Sequence, residues 1–97
     1  MTTSGRIDAV QALLDQAEAA HGVYETAELN GVYDQAWPSW YAEYAVEHGI
    51  GDLLDHAVSA ETLAEFLGRA FADFKEAKPA PTEPWSVYTA QRIVAEL

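Results

Sequence analysis

Apolar residues in this chain recur at the helical period, and that restricts it to helices packed on helices. Ile7, Val10, Leu14, Ala17, His21 and Tyr24 fall on one stripe, which Leu13 widens. Leu63, Phe66, Leu67, Ala70, Phe71 and Phe74 form a second and cleaner stripe. No convincing strand occurs, because β-like runs such as Trp85-Ser86-Val87-Tyr88 lie inside helical patterns. The pattern predicts an all-α fold: a small irregular bundle of four main helices plus one short helical turn. Its 97 residues make one domain, 1–97. The core of so short a chain is thin, so association would add stability.

Turn and cap residues set the expected boundaries. The first helix begins near Thr3 or Ser4, either of which can cap it, and runs to about Glu28. Asn30-Gly31 ends it, as left-handed residues do. The stripe passes straight through Gly22, which costs about 1 kcal/mol relative to Ala inside a helix and marks a weak point or a close contact. After a connector over 31–36, a second helix spans about Pro38 to His48. Proline suits its first turn and Gly49 stops it, with Ile50 as the hydrophobic partner of that cap. Asp52 to Ala57 reads as one short turn or helix. Ser59 caps the third main helix, which ends near Ala77 because Pro79 and Pro81 cannot continue it. KPAPTEP, residues 78–84, is a stiff extended linker. The last helix covers about 83–96 and carries Trp85, Tyr88, Ile93, Val94 and Leu97.

Charge and composition narrow the function classes. The net charge is −11, and no Lys or Arg stands between Arg6 and Arg69, an interval that holds twelve carboxylates. Binding to nucleic-acid phosphates needs clustered cations, and anionic membrane surfaces need them too, so neither partner is expected. There is no Cys, which excludes disulfides, thiolate metal sites and cysteine nucleophiles and fits a reducing cytoplasm. The N-terminus lacks the pattern of a signal peptide, and no apolar run approaches the ~18 residues of a membrane span.

The densest chemistry lies in YDQAWPSWYAEY, where Tyr33, Trp37, Trp40, Tyr41 and Tyr44 crowd together. Trp37, Trp40, Tyr41, Tyr44 and His48 share one helix face. Packing alone would explain such a face, yet each Trp and Tyr also carries a polar tip that needs a partner. Trp85 and Tyr88 of the last helix, with His21, Tyr24 and Glu25 of the first, complete an expected ring-lined groove. Its guest would be a small apolar or cationic ligand or a partner helix, suited by aromatic faces ringed with Glu25, Glu28 and Glu43. Glu18 and His21 have the E-x-x-H spacing of carboxylate-bridged metal sites, but a second such pair is missing. No cofactor, metal or catalytic residue is assigned. No serine elbow, phosphate loop or dinucleotide fingerprint occurs.

At WPSWYAEYAVEHG and the late PTEPWSVYTAQRI the chain resembles a small group of all-helical bacterial proteins of about this length. The likeness rests on Trp37-Pro38, Trp40-Tyr41 and Trp85 with Tyr88. No activity is established for that group, so the resemblance implies a standalone bacterial protein and transfers no catalytic residue. Three readings follow. The leading one is a non-catalytic cytoplasmic module that binds a ligand or partner in the aromatic groove and self-associates through the same face, as a homo-oligomer such as a dimer. The second is a metal-dependent or acid–base enzyme centred on His21, Glu25 and His48. The third is an acidic binder of a basic protein.

Overall fold

The computed structural model describes residues 2–97. Among them run five helices: α1 (Thr3–Glu28), α2 (Trp37–Glu47), α3 (Ile50–Leu54), α4 (Ala60–Glu76) and α5 (Trp85–Glu96), with no strand. The all-α bundle of four main helices and one short turn is what the periodicity demands. At ~1.5 Å per residue α1 is ~39 Å long, which matches the longest dimension of the molecule, 40 Å.

Local chemistry sets the ends. Thr2, in an extended conformation, accepts the Gly5 N–H at 3.0 Å, so the first cap lies one residue before the expected Thr3 or Ser4. Asn30 and Gly31 are left-handed, at φ 52° and 79°, and close α1 as anticipated. Ser59 Oγ accepts the Thr62 N–H at 3.1 Å and caps α4. Gly49, at φ 93°, stops α2. Helix α3 then starts at Ile50, two residues before the expected turn, and ends at Leu54. Ile50 and Leu54, one helical turn apart, are both buried, and that pairing decides the register over Asp52–Ala57.

Helix α1 lies chiefly against α5 and α2, and α2 chiefly against α4. The core joins Val10, Leu13, Leu14 and Ala17 of α1 to Leu63, Phe66, Leu67 and Ala70 of α4, with Ile50, Leu54 and Ile93. Each fully buried Leu or Ile stabilises by about 1.5–3 kcal/mol. Two faces differ from expectation. On α2 the buried residues are Tyr41, Ala42 and Ala45, so Trp40 and Tyr44 sit at the margin. On α5 they are Ser86, Thr89, Ala90 and Ile93, in place of Trp85, Tyr88, Val94 and Leu97. Small side chains on these faces let the helix axes come close, and bulky ones are displaced to the flanks.

Polar ties hold the ends. Arg6 pairs with Asp55 at 2.7 Å, and Arg92 links Asp73 of α4 at 2.6 Å to Glu96 of its own helix at 2.7 Å. The His56 Nε2–H donates to the carbonyl of Leu97 at 2.7 Å. These ties are largely exposed, so each contributes little. Three buried side-chain atoms among the described residues have no hydrogen-bond partner: Arg6 Nε, Trp85 Nε1 and Thr89 Oγ1. A buried orphan hydroxyl costs about 1–3 kcal/mol, and valine has nearly the same shape. Thr89→Val is therefore expected to raise stability by about 1 kcal/mol, read as a higher urea midpoint at unchanged slope.

Candidate functional site

An open groove of about 490 Å³ lies where the second half of α1 meets the start of α2, the end of α4 and the start of α5. Helix α1 supplies Glu18, His21, Gly22 and Glu25, a continuation of its buried stripe into polar residues. Trp37 and Tyr41 come from α2, Phe71 from α4, Trp85 from α5 and Tyr33 from the connector. The linker over 78–84 returns the chain so that Trp85 reaches this corner.

Trp37 organises the aromatic walls. Its ring meets those of Tyr41, Phe71 and Trp85 at centroid distances of 5.3, 5.2 and 5.7 Å, each nearly perpendicular. Tyr41 and Trp85 meet the same way at 5.9 Å. Edge-to-face contacts of this kind place a positive ring edge on a negative ring face, for about 0.5–1.5 kcal/mol each beyond burial. Lys75 Nζ stands 5.3 Å from the centre of the Phe71 ring.

His21 ties the α1 wall to the connector. Its ring is buried, 4.9 Å from Trp40 and 5.0 Å from Tyr41. Its Nε2–H donates to Asp34 Oδ2 at 2.9 Å, a tautomer set by the carboxylate it faces. Asp34 is held in turn. Its N–H donates to Glu25 Oε2 at 3.1 Å, and its other carboxylate oxygen accepts the Ala36 N–H at 2.9 Å. This closes an Asx turn just ahead of α2. Glu25 Oε1 lies 3.7 Å from His21 Nδ1, so the imidazole sits between two carboxylates. The Tyr41 hydroxyl is pushed up to about 12, first by burial and then by the negative charges of Glu18 and Glu25.

Of the residues expected to line the groove, His21, Glu25, Trp37, Tyr41 and Trp85 converge there. Tyr24, Trp40, Tyr44 and His48 form a separate outer ladder. Tyr24 meets Trp40 at 5.5 Å, Trp40 stacks on Tyr44 at 5.5 Å, and Tyr44 stacks on the exposed His48 at 3.9 Å. His48 uses its Nδ1–H on the Tyr44 carbonyl at 2.8 Å and lies outside the groove that His21 lines. Tyr88 packs on Phe74 at 5.2 Å, also outside the groove. The strip on α2 is thus divided three ways: Tyr41 into the core at the floor of the groove, Trp37 into the groove wall, Trp40 and Tyr44 onto the ladder.

Four lining residues lay outside the expected set: Glu18, Gly22, Tyr33 and Phe71, and Asp34 was missed as the partner of His21. Three of these were legible: Glu18, Gly22 and Asp34. Glu18, His21, Gly22 and Glu25 fall at i, i+3, i+4 and i+7, and Asp34 stands where a turn-forming Asx residue precedes a helix. Gly22 proves to be no point of close contact, since a Cβ built there meets nothing within 4 Å. Helix α1 runs unbroken through it. Among the described residues, no group of three or more His, Asp or Glu side chains is arranged to hold a metal ion. No helix of the described residues is long and apolar enough to cross a membrane.

No protein family, curated protein or solved structure matches the chain.

Two outcomes are expected from this geometry. Asp34→Ala removes the acceptor of a buried imidazole and the turn ahead of α2, and should cost about 2 kcal/mol in chemical denaturation. In an ultraviolet titration one tyrosine step should fall near pH 12 and vanish in Tyr41→Phe. The fold favours neutral Tyr41. That stabilisation is full below pH 10, the unfolded value, and is lost as pH rises towards about 12.

Proposed function

We propose that this protein is a non-catalytic binding module whose groove takes one small molecule. The observation that carries this reading is the cavity itself. A chain of 97 residues keeps about 490 Å³ open and lines it with Tyr33, Trp37, Tyr41, Phe71 and Trp85. That volume falls within the ~300–1,000 Å³ of small-molecule sites, which are mostly apolar with a few placed polar groups. Gly22 supports the reading. An exposed helix-interior glycine with free space beside it costs ~1 kcal/mol relative to Ala, and its lack of a side chain keeps the α1 wall open. On that wall His21 is committed to Asp34, and Glu25 gives one carboxylate oxygen to the Asp34 N–H. Such commitment suits a rigid binding surface better than a proton shuttle.

The acid–base reading has one observation in its favour, the bond that orients His21 through Asp34. A base held by a carboxylate is common in catalysis. It lacks a nucleophile within reach, and His48 lies outside the groove. We further propose a cytoplasmic setting, on the strength of the missing cysteines.

A thermal-shift screen of small amines, aromatics and short lipidic compounds tests the binding reading. At a hundredfold excess over Kd a true ligand stabilises by ~2.7 kcal/mol, a rise in Tm of roughly 10 °C or more for a domain of this size. Gly22→Leu should fold, because it gains helix propensity, and should lose that response because its side chain fills the groove. If no compound moves the wild-type Tm, or if Gly22→Leu responds as the wild type does, the groove is not a ligand site.

A further inference from the structure

We infer that the guest of this groove carries a compact N-alkylated ammonium group, seated on the aromatic walls with Glu18 and Glu25 as its counter-charges. The inference rests on the binding reading above and adds the charge and chemistry of the ligand.

Three features of the site point the same way. The first is the division of its walls. The acidic lining groups, Glu18 and Glu25, stand on the α1 side, while Trp37, Tyr41, Phe71, Trp85 and Tyr33 face the guest from elsewhere. A primary ammonium would need acceptors around all three N–H bonds and would leave some unmet against ring carbon. An alkylated ammonium presents C–H groups to the rings, gains from their negative faces, and takes its ionic partner from one side only.

The second feature is the potential at the floor. Glu18 and Glu25 lie close enough to Tyr41 to disfavour a further negative charge there, so an anionic guest is rejected by the same field that attracts a cation. One of these charges, Glu25, is also poorly placed for the helix. Glu25 and Glu28 lie in the last turn of α1, which has no basic residue, at the negative pole of the helix dipole. The arrangement works against the isolated helix, as charges kept for a ligand commonly do.

The third feature is a cation already resting on one wall. Lys75 Nζ stands 5.3 Å from the centre of the Phe71 ring. Phe71, a lining residue, thus already holds an ammonium at cation–π distance, from a lysine that is not itself part of the groove lining.

The decisive experiment compares two probes of one shape and different charge by isothermal titration calorimetry at low salt. Choline is the cation, and 3,3-dimethylbutan-1-ol is its neutral isostere. Choline should bind about tenfold more tightly, and added salt should narrow the gap. Glu18→Gln should weaken choline severalfold and leave the isostere unchanged. A merely structural role for Glu18 would move both. The same chemistry could be offered by a free molecule or by a trimethylated lysine, so a short trimethyllysine peptide forms a third arm. Whichever of the two binds more tightly names the source. If the isostere binds as well as choline, the ammonium inference falls while the groove remains a ligand site. If choline binds equally to wild type and Glu18→Gln, the counter-charge assignment falls. If neither probe binds while another compound in the thermal screen does, the inference is overturned and the binding reading stands.

Discussion

One hydrogen bond, from the His21 Nε2–H to Asp34 at 2.9 Å, decides where the chain goes after α1. It draws the connector back onto the helix it has just left. Asp34 then closes the turn that starts α2 with its other oxygen, while Glu25 takes its backbone N–H. The bond has little competition from solvent, since Tyr41 and Trp40 cover His21 and the His21 and Asp34 side chains are only 7% and 13% exposed. Had the connector run elsewhere, Trp37 would not meet Phe71 and Trp85, and the corner of the bundle would hold no groove. The fold and the candidate site thus share one polar anchor.

Around that anchor the molecule divides its aromatic residues by geometry. Trp37 makes three perpendicular contacts that join α2, α4 and α5. Trp40 and Tyr44 stack outward toward His48. The division follows from the alanines of α2. Ala42 and Ala45 are fully buried, and their small size lets α2 approach α4 closely. A helix centred on those alanines turns Trp37, Trp40 and Tyr44 away from α4's closest approach; Trp37, in the first turn, reaches Phe71 and Trp85, while Trp40 and Tyr44, further along, meet no residue of α4 or α5 by ring contact. The acidic character of the groove has a similar origin, since the stripe that buries Val10, Leu14 and Ala17 turns polar in its last turns, at Glu18, Gly22 and Glu25.

Much of the fold was legible because helices announce themselves locally. The period of α1 and α4, the left-handed close at Asn30-Gly31, the stop at Gly49 and the cap at Ser59 all depend on residues within a few positions of one another. The expectation failed at α3, where a hydrophobic pair outweighed the polar run that follows it. It failed again on α5, where Ser86, Thr89 and Ala90 face inward although larger residues were available. On α5 the deciding partner lay on another helix. The candidate site was half legible for the same reason. His21, Glu25, Trp37, Tyr41 and Trp85 were found through their type and spacing, whereas Phe71 had read as ordinary core and Asp34 as ordinary connector.

The sequence by itself determined an acidic, cysteine-free, all-α chain whose aromatic residues crowd the start of its second helix. Those properties are local or additive: periodicity, caps, charge and composition can be read without knowing what touches what. Only the tertiary structure decided that the aromatic strip would be split among core, groove and outer ladder. Only it brought Phe71 and Trp85 to Trp37, and Asp34 to His21. The physical reason is that one helix face subtends more than one neighbour. Which residue meets which neighbour depends on how closely the axes approach, and that distance is set by small side chains far apart in the chain.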